Sequence, residues 1–304
     1  MPISRAQLEK ELVPGLHALI GLGYEDYQRE WTEIFDVESS ERSFEEELKL
    51  VGFGRSEVKD EGSAVTFDDQ AGEVWSAKYV MTTFALGFVL TEEAIEDDLY
   101  DSLGKRYATQ LGRSMAKTKE YNCANVLNFA FSASVTGGDG VSLCNAAHPT
   151  YSGQTNSNFA AIGTDLNEAT LENAIIAISQ WVDERGLIFA AKATKMIIPT
   201  GLQFIAKRIL ASPYRTATGD NDISAIVEMG VLPEGYAVNH YLTDSDAWFL
   251  KTNVPDGLKL FQRIEMETKK DGDFNTGNVK FKSRERYAVG WTDALGVWGS
   301  QGAS

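Results

Sequence analysis

Residues 91 to about 130 contain no proline, and this unbroken stretch restricts the possible folds more than any other feature of the sequence. Thr91 is a residue type that caps helices, and the glutamates that follow it suit the first turn. Apolar residues then recur every four positions, which predicts one buried stripe along a helix. They are Ile95, Leu99, Leu103, Tyr107, Leu111 and Met115. At about 1.5 Å per residue this helix exceeds about 50 Å, so it needs a sheet or another subunit along its length.

The acidity of the chain is concentrated before this helix. The 304 residues include 44 acidic and 28 basic side chains, which gives a net charge of −16. The segment from Asp36 to Glu73 holds 12 acids and 4 bases, so its charge of −8 is half of the total. Glycines and low apolar content prevent this segment from forming a core alone. We expect an extended excursion, either a solvated acidic loop or a two-stranded arm. The negative field also argues against sequence-driven binding to nucleic acid.

The remaining pattern alternates helices and strands. A β-like run extends from Trp75 to Leu90, and a second helix is predicted from Asp165, with Glu168 completing a capping box and Gly186 ending it. Shorter elements follow: strands at 195–199, 236–242 and 247–252, and a helix at 202–210.

A long hairpin is predicted near the end of the chain. Its strands are Leu258–Thr268 and Val279–Tyr287, and the second alternates apolar with basic residues, so one face is basic. The fold class is therefore α+β, with strands from both ends of the chain available to one sheet.

Catalytic and metal-binding motifs are lacking. No nucleophile elbow of the Gly-x-Ser-x-Gly type accompanies His17, His148 or His240. Cys144 and His148 make only two of the four ligands of a closed zinc site. We therefore predict no catalytic residues, no cofactor and no metal, and we do not expect an enzyme.

Two further motifs are incomplete. Gly52-Phe-Gly54 lacks the third glycine of a dinucleotide-binding loop. A partial calcium loop starts at Asp271 but has Lys282 where a bidentate glutamate is required.

The number of cysteines, the longest apolar run and the N-terminal sequence indicate the cellular compartment. Two cysteines in a chain of this length indicate a reducing environment, and no apolar run approaches the roughly 18–20 residues of a membrane span. The N-terminus lacks the order of a secretion signal, so we expect a soluble intracellular product without membrane contact.

The acidic segment and the basic strand have complementary charges, which predicts contacts between subunits, head to tail. Such heterologous contacts close into rings or shells. The interface candidates are Glu45, Glu46, Glu47, Trp75, Lys78, Lys280, Lys282, Arg284 and Arg286.

Three segments, in this order, resemble the major capsid proteins of tailed phages with the Hong Kong 97-type fold, and among them the head proteins of Mu-like phages. The first runs from Thr83 to Asp98, where a strand returns into an acidic helix start. The second runs from Asp139 to Pro149 and is similar to the family's Gly…Leu-Phe…His-Pro segment, with Cys144 in place of the usual phenylalanine. The third, Phe281 to Trp291, is similar to the family's basic closing strand.

The resemblance implies a division of the chain. Residues 1–40 would be an N-terminal arm, 41–90 an extended loop over a neighbouring subunit, and 91–164 part of a peripheral domain with a spine helix at 91–130. Residues 165–255 would form an axial domain, and 256–304 would complete the peripheral domain with the closing hairpin and the C-terminus.

The resemblance also implies a function. The chain would assemble into pentamers and hexamers of an icosahedral virion shell in the host cytoplasm and enclose DNA without sequence-specific binding. Because no scaffolding segment precedes the arm, a separate scaffold protein is expected or none is needed, together with a portal and possible decoration proteins. Some family members cross-link lysine to asparagine between subunits, but a link from Lys78 to Asn275 or Asn278 is not expected here, because it also needs a catalytic glutamate that the sequence does not identify. The alternatives are an acid–base hydrolase with a dispersed site and an encapsulin-like cargo compartment.

Overall fold

Two four-stranded sheets and a long helix organise the chain. The computed structural model describes residues 16–68, 72–91, 93, 101–160, 163–214, 223–273 and 277–303, and only the backbone of 101–103. Five helices are described here: α1 at 16–25, α2 at Asp101–Asn128, α3 at Glu168–Ser179, α4 at Gln203–Ala211 and α5 at Ala225–Met229.

The first sheet combines strands from both ends of the chain, as the sequence predicts. Its order is β1 (Asp36–Ser39), β10 (Leu258–Gly272), β11 (Val279–Trp291) and β4 (Thr82–Leu90). β1 runs parallel to β10, whereas the β10–β11 and β11–β4 pairs are antiparallel. The long hairpin is thus confirmed, with strands longer than the sequence pattern indicates.

Helix α2 packs against one face of this sheet through aromatic side chains. Phe88 of β4 lies 6.2 Å from Tyr107, and Asn122 Nδ2 donates to Tyr287 Oη at 2.8 Å. Leu111 and Met115 are buried as predicted, whereas Tyr107 is half exposed at the edge of the stripe. Ile95 and Leu99 lie outside the described residues, as do 92 and the rest of 94–100 near the predicted beginning of the helix.

Helix α1 crosses α2 where glycines permit it. A Cβ on Gly112 would overlap the carbonyl oxygen of Ile20, and one on Gly23 would overlap that of Thr109. Because the two backbones approach so closely, Leu16 and Ile20 reach the core formed with Leu111.

The second sheet has the order β12 (Val297–Ser300), β9 (Trp248–Thr252), β7 (Ala193–Ile198) and β8 (Tyr236–Val238). Helices α3, α4 and α5 cover it. The predicted division places the C-terminal residues in the peripheral domain, whereas β12 is an edge strand of this second sheet. The cause is apolar packing, since Val297 and Trp298 are buried and Trp298 lies 4.9 Å from Trp248.

Two predicted boundaries differ in the structure. The run from Trp75 to Leu90 is two strands, because the chain leaves one pairing and enters another at Met81. Helix α3 begins at Glu168 instead of Asp165, since Asn167 caps it by accepting from the Thr170 backbone N–H. It ends at Ser179, and Gly186 with φ +80° serves the following turn.

The acidic segment forms a two-stranded antiparallel ribbon. Its strands are β2 (Phe44–Leu50) and β3 (Glu73–Val80), with Glu46 opposite Lys78. We call β2, β3 and the connecting segment the arm. The described part of that connection, 51–68, contains neither helix nor strand. A short pair, β5 (His148–Pro149) and β6 (Thr155–Asn156), completes the strands.

Candidate subunit-interface surfaces

The base of the arm is bound to its own subunit by charged groups. Lys259 Nζ, almost wholly buried, lies 2.5 Å from Glu47 Oε1, 2.9 Å from Glu38 and 2.8 Å from Asp256. Burial lowers the pKa of Lys259, but the hydrogen bonds that its ammonium group donates to Asp256, Glu47 and Glu38 outweigh burial and hold that pKa above its usual value. Glu47 Oε2 also accepts from Thr292 Oγ1. The candidate Glu47 therefore contacts its own chain in the monomer.

Aromatic residues of β3 secure the same base. Trp75 Nε1 donates to the Thr292 carbonyl at 3.3 Å, and Tyr79 Oη lies 2.5 Å from Thr292 Oγ1. Tyr79 packs 4.7 Å from Phe261 on the sheet face opposite α2, and burial raises the pKa of this tyrosine. Trp75 and Glu47 thus hold the base of the arm against its own subunit. These contacts determine the direction in which the arm leaves the sheet.

The candidates Glu45, Glu46 and Lys78 belong to the same part of the ribbon, with Glu45 opposite Tyr79 and Glu46 opposite Lys78. Glu45 accepts from Ser40 Oγ at 2.6 Å, whereas Glu46 and Lys78 are exposed. Lys78 Nζ sits 4.5 Å from the ring centroid of Phe44, a cation–π contact.

The connecting segment exposes four large apolar side chains. Phe53 is 75% exposed, Val58 95%, Val65 61% and Phe67 89%. Apolar side chains gathered in one exposed segment mark an interaction site. Sequence reasoning missed these four because they are isolated from one another in a segment dominated by glycine, charged and small polar residues. We call them the arm-tip residues.

The basic face of β11 has the predicted alternation. Val279, Phe281 and Ser283 are buried, and the two lysines that alternate with them, Lys280 and Lys282, are exposed. Most of these cations have partners within the subunit. Lys280 pairs with Asp273 at 3.1 Å, Arg284 pairs with Glu267, and Arg286 donates to the Met81 carbonyl at 3.3 Å. Lys282 has no ion pair with any described residue and lies opposite Lys269 in the register.

Four more large apolar side chains are exposed on and beside the helices α4 and α5. Phe204 of α4 is 71% exposed and Met229 of α5 is 75% exposed. Tyr214 and Ile223, which form an antiparallel bridge, are 56% and 70% exposed. We call these four the axial-tip residues. Residues 215–222 between them lie outside the described part of the chain.

The histidine of the Asp139–Pro149 segment belongs to a buried network. His148 Nδ1 lies 2.5 Å from Asp139 Oδ2, and Nε2 lies 3.0 Å from Asn158 Oδ1. Asn158 Nδ2 donates to the carbonyls of Leu143, Ala294 and Val297 at 2.7–2.9 Å. These bonds connect the loop to the C-terminal strand. His148 is 4% exposed, and both of its ring nitrogens are engaged in this network.

The cysteines are also inaccessible. Burial raises the pKa of Cys123 and of Cys144, which keeps both as thiols and unreactive. Among the described residues, no group of three or more histidine, cysteine or carboxylate side chains is arranged to hold a metal ion. No helix in the described ranges has the length and apolar character of a membrane span.

Comparisons with known proteins give one sequence match and several structural ones. The profile of a family described as phage capsid protein matches residues 75–299, about three quarters of the chain. A search of the curated proteins finds no match.

Structural likeness extends over nearly the whole chain. A virus-like particle from Pyrococcus furiosus shares 13% identity at a TM-score of 0.57, covering 94% of this chain and 98% of that one. The capsid of a native GTA particle shares 10% identity at 0.57, covering 91% and 92%. The procapsid of bacteriophage JBD30 shares 12% identity at 0.55, covering 98% and 76%. At these identities, the likeness concerns the fold.

Proposed function

The chain belongs to the phage capsid protein family, so its place is the shell of a virion, and we propose that it builds that shell as pentamers and hexamers through the arm-tip and axial-tip residues. The single observation that carries the proposal is the exposure of these two apolar groups, in two separate segments of a chain with a capsid fold. Each would be an aggregation hazard in an isolated monomer.

The arm supplies the contact between neighbouring subunits in this proposal. Its base is anchored by Glu47 and Trp75, and Asp68 near its other end pairs with Arg185 of the same chain, so the stretch between these contacts is the part available to a neighbour. The arm-tip residues would then be covered by the neighbouring subunit. Glu46 is exposed, and Lys282 has no ion pair with the residues that the structure describes. Their opposite charges favour a head-to-tail orientation.

The axial-tip residues supply the contacts within each ring. They lie on α4, on α5 and in the bridge between Tyr214 and Ile223. This assigns residues 165–255, joined by β12, to the axial domain around five- and six-fold axes. The peripheral domain then comprises α2 and the first sheet.

The proposal describes a structural protein with no catalytic role. A separate scaffold, a portal and decoration proteins would join the shell during assembly. The net charge of −16 would prevent packaged DNA from adhering to the wall.

Electron microscopy of the purified chain tests the proposal. We expect rings of five and six or closed shells, from the chain alone or with its scaffold. Phe67→Glu and Phe204→Glu place a charge in each surface and should each leave folded monomers. Phe67→Leu and Phe204→Leu keep the surfaces apolar and should assemble. Assembly of both glutamate variants at wild-type efficiency would refute the proposed contacts.

A further inference from the structure

A cleft of about 840 Å³ lies between α1 and the edge of the first sheet. Tyr24 of α1, Lys119 of α2, Arg263 of β10 and Glu285 of β11 contribute to its lining. Its size is in the range of ligand sites, and none of the arm-tip or axial-tip residues lines it. It is therefore distinct from the surfaces proposed for shell assembly.

Two buried polar atoms in this cleft lack partners among the described residues. Glu285 is 1% exposed, and its Oε1 receives hydrogen bonds from Lys119 at 2.6 Å and Tyr24 at 3.0 Å, but its Oε2 receives none. Arg263 Nη1, a buried donor, also lacks an acceptor. Burial without a partner costs free energy, so an occupant that offers one donor and one acceptor would be favoured.

The sheet edge beside the cleft is open. β1 pairs with β10 only from Lys259 to Gln262, and Ser40 N donates to the Gln262 carbonyl at 3.0 Å. β10 continues to Gly272, and no described strand pairs with residues 264–272 on that side. Its register shifts on both sides of Ile264, as in β-bulges that occur near functional sites. An open edge of this kind accepts an added strand.

The charge of the lining selects among peptides. Five glutamates and three cationic side chains line the cleft. The exposed rim includes Glu41 and Glu265, neither of which forms an ion pair with a described residue. A peptide with positive side chains is therefore favoured over an acidic one.

We propose that this cleft binds an extended, basic segment of a partner protein, which continues the line of β1 as an added strand beside β10. A main-chain N–H of the segment would donate to Glu285 Oε2, and a main-chain carbonyl would accept from Arg263 Nη1. Its lysine or arginine side chains would pair with Glu41 and Glu265. The arm of a second copy fits less well, because the described residues 51–68 contain four acids and two bases.

Binding of a synthetic peptide to the full-length chain tests the proposal by titration calorimetry. The probe is an acetylated, amidated nonapeptide in which lysine alternates with valine or threonine. Its matched control has glutamate in place of every lysine. We expect the basic peptide to bind at least about tenfold more tightly than the acidic one. Equal affinity, or no binding of the basic peptide, would overturn the proposal.

Rim variants locate the binding. Glu41→Lys combined with Glu265→Lys should weaken the basic peptide about tenfold, because it reverses the charge at the rim. Glu228→Lys, on the exposed side of α5, should leave the affinity unchanged. If the rim pair has no effect, the peptide binds elsewhere.

Arg263→Met separates a binding role from a structural one. Removing an unsatisfied buried donor should raise the melting temperature of the free chain. The same change should weaken the basic peptide, because the acceptor contact is lost. A higher melting temperature with unchanged affinity would contradict the proposal.

Sedimentation tests whether a second copy of the chain occupies the cleft instead. The wild type is compared with the double variant Glu41→Lys and Glu265→Lys. A wild-type dimer that the double variant does not form would assign the cleft to a second copy. These measurements use the unassembled chain, so they do not depend on shell formation.

Discussion

Lys119 Nζ lies 2.6 Å from Glu285 Oε1, although 166 residues separate them, and both side chains are almost wholly buried. Lys119 also donates to Gln262 Oε1 at 2.6 Å and lies 4.4 Å from the ring centroid of Trp31. This buried pair joins the long helix to the hairpin and forms the floor of the cleft beside α1.

Breaking the pair on one side should be costly. Lys119→Met should lower the free energy of unfolding by about 3–5 kcal/mol, because Glu285 stays buried without a counter-ion. The double variant with Glu285→Gln should recover part of this loss. Urea unfolding measures both. Arg113→Met, which removes an exposed pair with Asp26 at 3.0 Å, is the control and should cost less than about 1 kcal/mol.

The free energy of unfolding should depend on pH in part through the carboxyl group of Glu120. Burial raises the pKa of this carboxyl from 4.5 to about 7, although the backbone N–H groups of Glu30 and Trp31 donate to it. Between these values the folded chain holds a proton that the unfolded chain has lost. Stability therefore falls as pH rises through this window, by at most about 1.4 kcal/mol per pH unit from this group.

Glu120→Gln should remove that contribution. Urea unfolding from about pH 5 to about pH 8 should give a flatter profile for the variant than for the wild type. Identical profiles would mean that Glu120 is ionised throughout this range. Burial also raises the pKa of Glu184, so only the difference between the two chains is diagnostic.

The crossing of α1 and α2 should tolerate no side chain at Gly112. Gly112→Ala should destabilise the chain by about 1–3 kcal/mol, because the new methyl group overlaps the Ile20 carbonyl. Gly104→Ala, on the same helix, is the matched control: its nearest neighbours would be 3.9 Å away, and alanine favours helix by about 1 kcal/mol. Thermal unfolding should shift in opposite directions for the two variants, and a downward shift for both would disprove the close crossing.

Asn158 should be among the most sensitive polar positions. Asn158→Ala removes donors from three buried carbonyls and the acceptor of His148, so we expect a loss of about 3 kcal/mol or more. Asn173→Ala, at an exposed position of α3, should change stability by less than about 0.5 kcal/mol. Comparable urea midpoints for the two variants would show that the network contributes little.

Local sequence patterns were sufficient to predict the long helix, the hairpin and the alternating faces of β11. Each depends on side chains spaced two or four residues apart, and the backbone imposes those periods wherever the segment lies. The arm could be predicted as an extended excursion for a similar reason, since its charge density rules out a core. The family resemblance was also carried by short contiguous segments.

The buried charges were partly visible in the sequence and were not recognised. Lys119 follows Met115 by four residues, and Cys123 and Leu127 continue the same stripe. A lysine at a stripe position therefore indicated a buried partner. Which carboxylate would meet it was not predictable, because Glu285 lies in a strand whose alternation indicated only that it faces inward.

The sequence by itself determined the α+β class, the main helix and hairpin, and the absence of recognisable catalytic motifs, because these depend on neighbours along the chain. Only the tertiary structure decided that β12 joins the second sheet, that Glu47 and Trp75 anchor the arm, and that a cleft with unpaired polar atoms lies beside β10. These features join residues that lie from roughly fifty to more than two hundred positions apart. Such contacts depend on the packing of whole elements, which leaves no periodic signal in the sequence.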